Sequence, residues 1–381
     1  MTNNFQTIYA LSSGALPAAI AVVRISGAYA FETARLLGAE SLISRKLVLT
    51  KIQPAGQEII DMALVCAFPK KQSITGEDLV ELHLHGSIAV IDELFLFFSS
   101  IKELRPAEPG EFTKRSLING KMNITEVEGL ADLLASETKQ QRIQSIKLLK
   151  GELSRKYAHW RQKLIKARAE MEASLDFSDE GDVSQNINDS RFVKKISGLI
   201  NEIEKDLVRG IAGERLRKGL KIALIGAPNV GKSSLINLLL KEDRAIVSTR
   251  AGTTRDTIEA RLNLEGVPVT LYDTAGIRDT SDKIEKEGVL RSKSIAEEAD
   301  IIIYIRDASA GAKEKTIEMP NNKFSRIINV YDKADLIEEK SHLNKEGFNI
   351  SCKTKQGIEG FIEGLGAEVK KLTSFSDMTV G

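Results

Sequence analysis

The sequence predicts a multidomain α/β protein with three parts: an α+β N-terminal domain, a helical middle and a phosphate-loop α/β domain. Three observations carry this reading. Pro17, Pro54, Pro69, Pro106 and Pro109 all fall early, and no proline follows until Pro228. The proline-free stretch between them repeats its apolar residues at steps of three and four. From Lys221 onward short apolar runs alternate with helical segments around G-A-P-N-V-G-K-S at 226–233.

In the first part, to about residue 118, Ala19–Ile25, Ala63–Phe68 and Leu79–Leu84 read as strands and Ile88–Ile101 as a helix. In the middle part, 119–215, Ile146, Leu149, Leu153, Tyr157, Trp160, Leu164, Ala167, Met171 and Leu175 form one apolar stripe. Asp176–Asp182 interrupts the pattern, and Phe192, Ile196, Leu199, Ile203 and Leu207 restart it. The third part, 216–372, carries strand-like runs at Leu220–Ile225, Val267–Tyr272, Ile301–Ile305, Ile327–Val330 and Phe348–Ile350, the order of a parallel α/β sheet. A short tail, 373–381, follows.

Length and composition narrow the class. With 381 residues, 42% hydrophobic and 28% charged, the chain has enough apolar mass for several cores. Cys66 and Cys352 fit no metal or disulfide spacing and read as reduced thiols of a cytoplasmic protein. No basic head precedes an apolar stretch at the start, and the run near Leu94–Phe98 is too short to cross a membrane. The net charge is +1, but between Lys139 and Arg168 ten Lys or Arg face a single acid, Glu152. That is either a solvated helix face or a footprint for a polyanion such as RNA.

The loop at 226–233 has the residues a phosphate cradle needs. Gly226 and Gly231 allow close backbone approach, Lys232 supplies a point charge to β- and γ-phosphates, and Ser233 offers a hydroxyl to Mg²⁺. A helix from Ser234 would aim its N-terminus at the anion. D-T-A-G at 273–276 adds Asp273, which can hold Mg²⁺ through water, and Gly276, whose N–H can meet a γ-phosphate. Between them A-G-T-T-R-D at 251–256 reads as a switch, with Thr254 completing the Mg²⁺ shell in the triphosphate state. Further on, D-K-A-D at 332–335 selects guanine. Asp335 accepts both donors of its Watson–Crick edge, Lys333 covers the ring, and Ser351-Cys352-Lys353 supplies a backbone N–H to its carbonyl. Position 332 is Asp where Asn is usual. An ionised carboxylate cannot donate to N7, so GTP binding is expected to be weaker than with Asn. Ile277 follows Gly276, so no glutamine orients water there; downstream acids are Asp279, Asp282, Glu285 and Glu287.

These marks, joined to V-R-I-S-G at 23–27, T-G-E-D-L-V-E-L-H-L-H-G at 75–86, R-P-A-E-P-G-E-F-T-K-R-S-L-I-N-G-K at 105–121 and L-D-F-S-D-E at 175–180, resemble the tRNA modification GTPases called MnmE or TrmE. The resemblance implies an N-terminal folate-binding domain that forms a homodimer, and a Ras-like G domain inserted in the helical domain. It implies a flavin-bearing partner, MnmG, and modification of the wobble uridine of certain tRNAs (carboxymethylaminomethyl type). The one-carbon unit would come from 5-formyl- or 5,10-methylene-tetrahydrofolate. By position, folate contacts fall on Arg24, Glu81 and Lys121. Nucleotide contacts fall on Asn229, Val230, Gly231, Lys232, Ser233 and Ser234, on Ser248, Thr249, Arg250, Thr253 and Thr254, on Asp273, Thr274, Ala275 and Gly276, and on the base-reading residues above. K⁺ would be held by Asn229, Ser248, Arg250 and Thr253 when two G domains meet, and Glu285 would position water.

Two departures stand out. The chain ends T-S-F-S-D-M-T-V-G, where members continue into further helices and a Cys-x-x-Gly-Lys, so part of the apolar stripe is expected to lack its cover. The approach S-G-A-L-P-A-A-I-A at 13–21 is poorer in glycine than is usual. A competing reading is a regulatory GTPase of RNA or ribosome without folate chemistry. His83 and His85 share one strand face; packing accounts for them better than a metal pair.

Overall fold

The computed structural model describes residues 6–176, 190–227, 229–241, 259–273, 295, 297–309, 325–337 and 346–373. The chain divides into two compact units, Met1–Val127 and Glu128–Gly381.

The first unit runs β1 (Thr7–Leu11), β2 (Ala18–Ser26), α1 (Ala30–Leu36), β3 (Leu47–Ile52), β4 (Asp61–Phe68), β5 (Leu79–Gly86), α2 (Ile88–Ser99), β6 (Leu104–Pro106) and α3 (Glu111–Ile118). The three expected strands and the expected helix form as β2, β4, β5 and α2. The sheet order is β3-β4-β5-β2-β1-β6. Period-two alternation sorts its faces. Val23, Ile25, Val65, Val80, Leu82 and Leu84 are buried with Ala30 and Ala34 of α1 and Ile91, Leu94 and Phe98 of α2. The opposite face is open. It presents Ile20, Leu47, Leu49, Met62 and Leu64, of which Ile20 is 63% and Leu49 64% exposed.

From α4 (Ile124–Ala135) the chain enters helices: α5 (Lys139–Leu149), α6 (Glu152–Asp176) and α7 (Ser190–Lys218). The stripe expected to be continuous from Ile146 is cut in two. Helix α5 stops at Leu149, and Gly151 takes φ +74°, a left-handed conformation that favours glycine and ends a helix. Thr138 and Gln141 form a capping box at the other end of α5. Leu153 and Ala167 of α6 are buried, while Tyr157, Leu164 and Met171 are exposed. In α7, Leu199 is buried and Leu207 exposed; Asp206 takes the inward position, paired with Lys156 and Arg209.

The rest of this unit is β7 (Leu220–Gly226), α8 (Lys232–Lys241), β8 (Glu259–Leu264), β9 (Val267–Asp273), β10 (Ile301–Asp307), β11 (Arg326–Asp332), β12 (Phe348–Asn349) and α9 (Ile358–Thr373). The sheet order is β12-β11-β10-β7-β9-β8. It is mixed, not purely parallel, because β8 pairs antiparallel with β9. Glu265 (φ +56°) and Gly266 (φ +84°) make the two-residue turn, both left-handed as a tight hairpin requires. Ile222, Leu224, Leu271, Ile303 and Val330 of the sheet pack with Leu235 and Leu239 of α8 and Phe361 and Leu365 of α9.

Candidate nucleotide-binding site

The phosphate loop leaves the C-terminal end of β7, a central strand, and enters α8 at Lys232. In a doubly wound sheet this strand end is where ligands bind. The Lys232 ammonium turns back into the loop, donating to the Gly226 carbonyl at 2.7 Å and the Ala227 carbonyl at 2.9 Å. The side chain is buried, so its charge sits inside the cradle and not in solvent. Asn229 (φ +63°) and Gly231 (φ +109°) turn the loop, and Asn229 is exposed. A Cβ at Gly231 would collide with the Asp332 carboxylate. The left-handed φ favours glycine there, and its bare Cα leaves room for that carboxylate.

Forty residues on, Asp273 ends β9 beside the loop. Ser233 Oγ donates to Asp273 Oδ2 at 3.1 Å. A hydroxyl and a buried carboxylate converging at the N-terminus of α8 are the oxygen ligands a hard divalent cation takes.

The residues expected to read the base meet at the end of β11. Asp332 is buried, and its Oδ1 accepts the Cys352 N–H at 2.9 Å. This one carboxylate thus touches both the phosphate loop and the turn at 351–353. Burial, then the Asp332 charge and its hydrogen bond, push the Cys352 thiol up to about 12. Lys333 has φ +64°, and its ammonium donates to Asp307 Oδ2 at 2.6 Å, a bond that raises its pKa. Asp335 is half-buried in the 3₁₀ turn Ala334–Leu336. The Ser351 N–H is taken by the Gln356 carbonyl and its Oγ by the Thr354 N–H. In the 351–353 segment, expected to offer a backbone N–H to a guanine carbonyl, the Ser351 amide is thus taken by Gln356 and the Cys352 amide by Asp332. Ser248, Thr249, Arg250, Thr253, Thr254, Thr274, Ala275, Gly276 and Glu285 lie outside the described residues.

In the first unit, Arg24 and Glu81 face each other across β2 and β5 on the open sheet face. Arg24 Nε donates to Glu81 Oε1 at 2.7 Å, and His83 Nε2 lies 3.3 Å from Glu81 Oε2. Lys121 is placed with the 70–76 loop instead, donating to the Lys71 carbonyl at 2.8 Å. His85 pairs with Asp61, so the two histidines serve different carboxylates. Among the described residues, no three His, Cys, Asp or Glu converge to hold a metal.

A buried network went unread in the sequence. Arg115, from the 105–121 motif, donates to Glu77 at 2.9 Å, Glu111 at 2.8 Å and the Gln6 carbonyl at 2.8 Å. Arg105 adds a bidentate pair to Glu111 at 2.6 and 2.8 Å. Ser26 Oγ joins Thr75 and Glu77. The Arg105 hydrogen bonds, with those from the Glu108 N–H and Arg115, hold Glu111 at about 2 against the opposing effect of burial. The signal available was R-x₅-E-x₃-R at 105–115, an i, i+4 ion pair on a helix.

Comparison with known proteins follows this division. Residues 7–121 match the family model for the GTP-binding protein TrmE N-terminus, and residues 124–379 match the MnmE helical domain. Over 315 residues the chain is 47% identical to tRNA modification GTPase MnmE of Bradyrhizobium sp. (strain ORS 278), spanning 83% of this chain and 71% of that protein. It is 44% identical to MnmE of Agrobacterium fabrum over 94% of this chain and 80% of the relative. With MnmE of Rhodopseudomonas palustris (strain CGA009) the identity is 42%, over 94% and 81%. No helix among the described residues is long and apolar enough to cross a membrane. With both family models matched in order and such identity over most of its length, the chain belongs to the MnmE family of tRNA modification GTPases.

Proposed function

We propose that this chain binds GTP with Mg²⁺ at the 226–233 loop, hydrolyses it with stimulation by K⁺, and uses that cycle in modifying the wobble uridine of tRNA. The observation that carries the proposal is the convergence of Lys232, the Ser233–Asp273 pair and Asp332 on one loop. Mg²⁺ would be held by Ser233 and Thr254, with Asp273 behind a water, and would supply charge neutralisation at the β- and γ-phosphates. Lys232 is already desolvated within the loop, and its ammonium would exchange a loop carbonyl for phosphate oxygens to neutralise their charge. Asp335 accepts the two donors of guanine that adenine lacks, and Lys333, anchored on Asp307, covers the ring. The guanine carbonyl takes the Lys353 amide. K⁺ would be held by Asn229, Ser248, Arg250 and Thr253 and adds positive charge where Ile277 offers none. Glu285 positions the attacking water.

The folate part rests on Arg24 and Glu81. Their paired charges sit on an open face with Cys66 and His83 in the neighbouring register positions, where a pterin's donors and a glutamate tail find matching groups. Lys121 completes the set through the tail. Tetrahydrofolate would bring the one-carbon unit, and an MnmG-type flavin protein the redox partner. The exposed apolar positions Leu47, Leu49, Met62 and Leu64 support self-association of the first unit into a homodimer. The match of the helical-domain model across 124–379, enclosing β7–β12, supports a G domain inserted in the helical domain. We place the protein in the cytoplasm, with tRNA.

Titration calorimetry tests the nucleotide half: GTP binds, ATP does not, and Asp335→Ala abolishes the distinction. Equal binding of ATP would overturn it. For the folate half, 5-formyl-tetrahydrofolate should bind the wild type and fail to bind Glu81→Ala. Retention in both would remove Glu81 from the site.

A further inference from the structure

We infer that the solvent face of α5, with the first turn of α6, is a docking surface for the phosphate backbone of RNA. This rests on tRNA being the substrate, as proposed above, and adds where on this chain its backbone is held.

Helix α5 has the sequence K-Q-Q-R-I-Q-S-I-K-L-L and contains no acid. It buries Gln144, Ser145 and Leu148, and Gln144 Nε2 donates to the Gly213 carbonyl at 3.3 Å. At 3.6 residues per turn the opposite face carries Lys139, Arg142, Ile143, Ile146, Lys147 and, just past the helix end, Lys150. Lys139, Arg142 and Lys150 are exposed and Lys147 half-exposed. Arg155 continues the charge one turn into α6, exposed, with its N–H on the Gly151 carbonyl.

Ion pairing separates this face from an ordinary solvated one. Of the ten cations from 139 to 168, Lys156 pairs with Asp206, Lys163 with Glu202 and Arg168 with Glu172. No described residue forms an ion pair with Lys139, Arg142, Lys147, Lys150 or Arg155; Arg161 and Lys166, farther along α6, are likewise exposed and without an ion pair among the described residues. Of the nearby acids, Glu137 is committed to Arg261 at 3.1 Å and Asp132 to Arg217 at 4.0 Å; Glu152, half-buried in the first turn of α6, is the one acid within 139–168. Ordinary faces in this protein mix signs, as Glu214 with Lys218 in α7 and Glu368 with Lys371 in α9 show. At the N-terminal end of α5, Lys139 and Arg142 are like charges three apart beside the positive end of the helix dipole, which costs helix stability. A helix carrying that cost recovers it on meeting a polyanion. With no aromatic on α5 to stack a base, the contact is with phosphates and is sequence-independent.

The test measures binding of a fluorescent tRNA transcript to the full chain by anisotropy across a KCl series. Wild type is compared with the combined Arg142→Ala, Lys147→Ala, Lys150→Ala, Arg155→Ala variant, and with a Lys163→Ala, Arg168→Ala control that removes paired cations. Each released counterion contributes about 0.7–0.9 to the slope of log K on log salt. The fourfold variant should therefore flatten that slope by about 3 and bind at least tenfold more weakly, while the control keeps the wild-type slope. GTP affinity, read in the same samples, stays unchanged and reports that the variants are folded. A wild-type slope in the fourfold variant would overturn the surface and leave tRNA as substrate intact. No tRNA binding by the wild type at low salt would overturn both. An unchanged tRNA slope with weakened binding of polyglutamate would assign the face to an acidic protein and overturn the RNA proposal.

Discussion

The phosphate loop and the open sheet face of the first unit use charged residues in opposite ways. At the loop, Lys232 is buried, Ser233 and Asp273 meet, and Asp332 joins two loops. There, on the function proposed above, the buried charge serves the chemistry. In the first unit the deepest charges, Arg115 and Glu111, hold the fold together, while the candidate ligand residues Arg24 and Glu81 lie on a surface. Burial of a charge thus marks function in one region and architecture in the other. What separates them is access: Lys232 is buried beneath a loop that faces solvent, Arg115 between a strand end, a loop and a helix.

That contrast can be broken by substitution. The largest effect is expected for Lys232→Ala, which removes the one cation of the 226–233 sequence: kcat/KM for GTP should fall by about a hundredfold or more, read by phosphate release. Next is Arg115→Ala. Removing this buried guanidinium leaves Glu77 with the Ser26 hydroxyl and Glu111 with Arg105, and should destabilise the first unit by about 3 kcal/mol in urea unfolding, with GTP affinity unchanged. Glu111→Gln sharpens the same point through pH. The Glu111 carboxyl is held at about 2, below its ordinary 4.5, so its contribution is present above pH 4.5 and is lost as pH falls toward 2. Near neutrality the loss should be about 3 kcal/mol, and wild type and variant should converge in stability below pH 4.5.

Smaller effects follow at the surfaces of both regions. Asp332→Asn keeps the acceptor for the Cys352 N–H and adds a donor for guanine N7, so GTP affinity should rise about tenfold in calorimetry. Burial would still raise the Cys352 thiol, but the variant removes the Asp332 charge that adds to it, so alkylation of Cys352 should quicken. Arg24→Ala should change stability by under about 1 kcal/mol, because its pair with Glu81 is partly solvated. A larger loss would move Arg24 to the architectural class.

The nucleotide half was legible because its chemistry is contiguous. Eight residues specify the loop, and one well-spaced aspartate completes it. The first unit was legible in outline through β2, β4, β5 and α2, but β1, β3 and β6 were not. In β3 the outward positions Leu47 and Leu49 are apolar, which erases the alternation that marks a strand. Strand β8 was hidden for a different reason: the Glu265–Gly266 turn that creates it needs a left-handed glutamate, which composition does not announce. The break at Gly151 was visible as a glycine but outweighed by a stripe that happens to stay in phase across it. The Arg115 network was missed because its partners Glu77, Ser26 and Gln6 are distant in sequence, and only folding brings them together.

The most direct test of the central claim is GTP turnover by the full chain at saturating GTP and Mg²⁺, in KCl and in NaCl at matched ionic strength. The account expects turnover to rise at least tenfold in K⁺ and Glu285→Ala to lose that gain. Equal rates in the two salts, with Lys232→Ala still inactive, would contradict it.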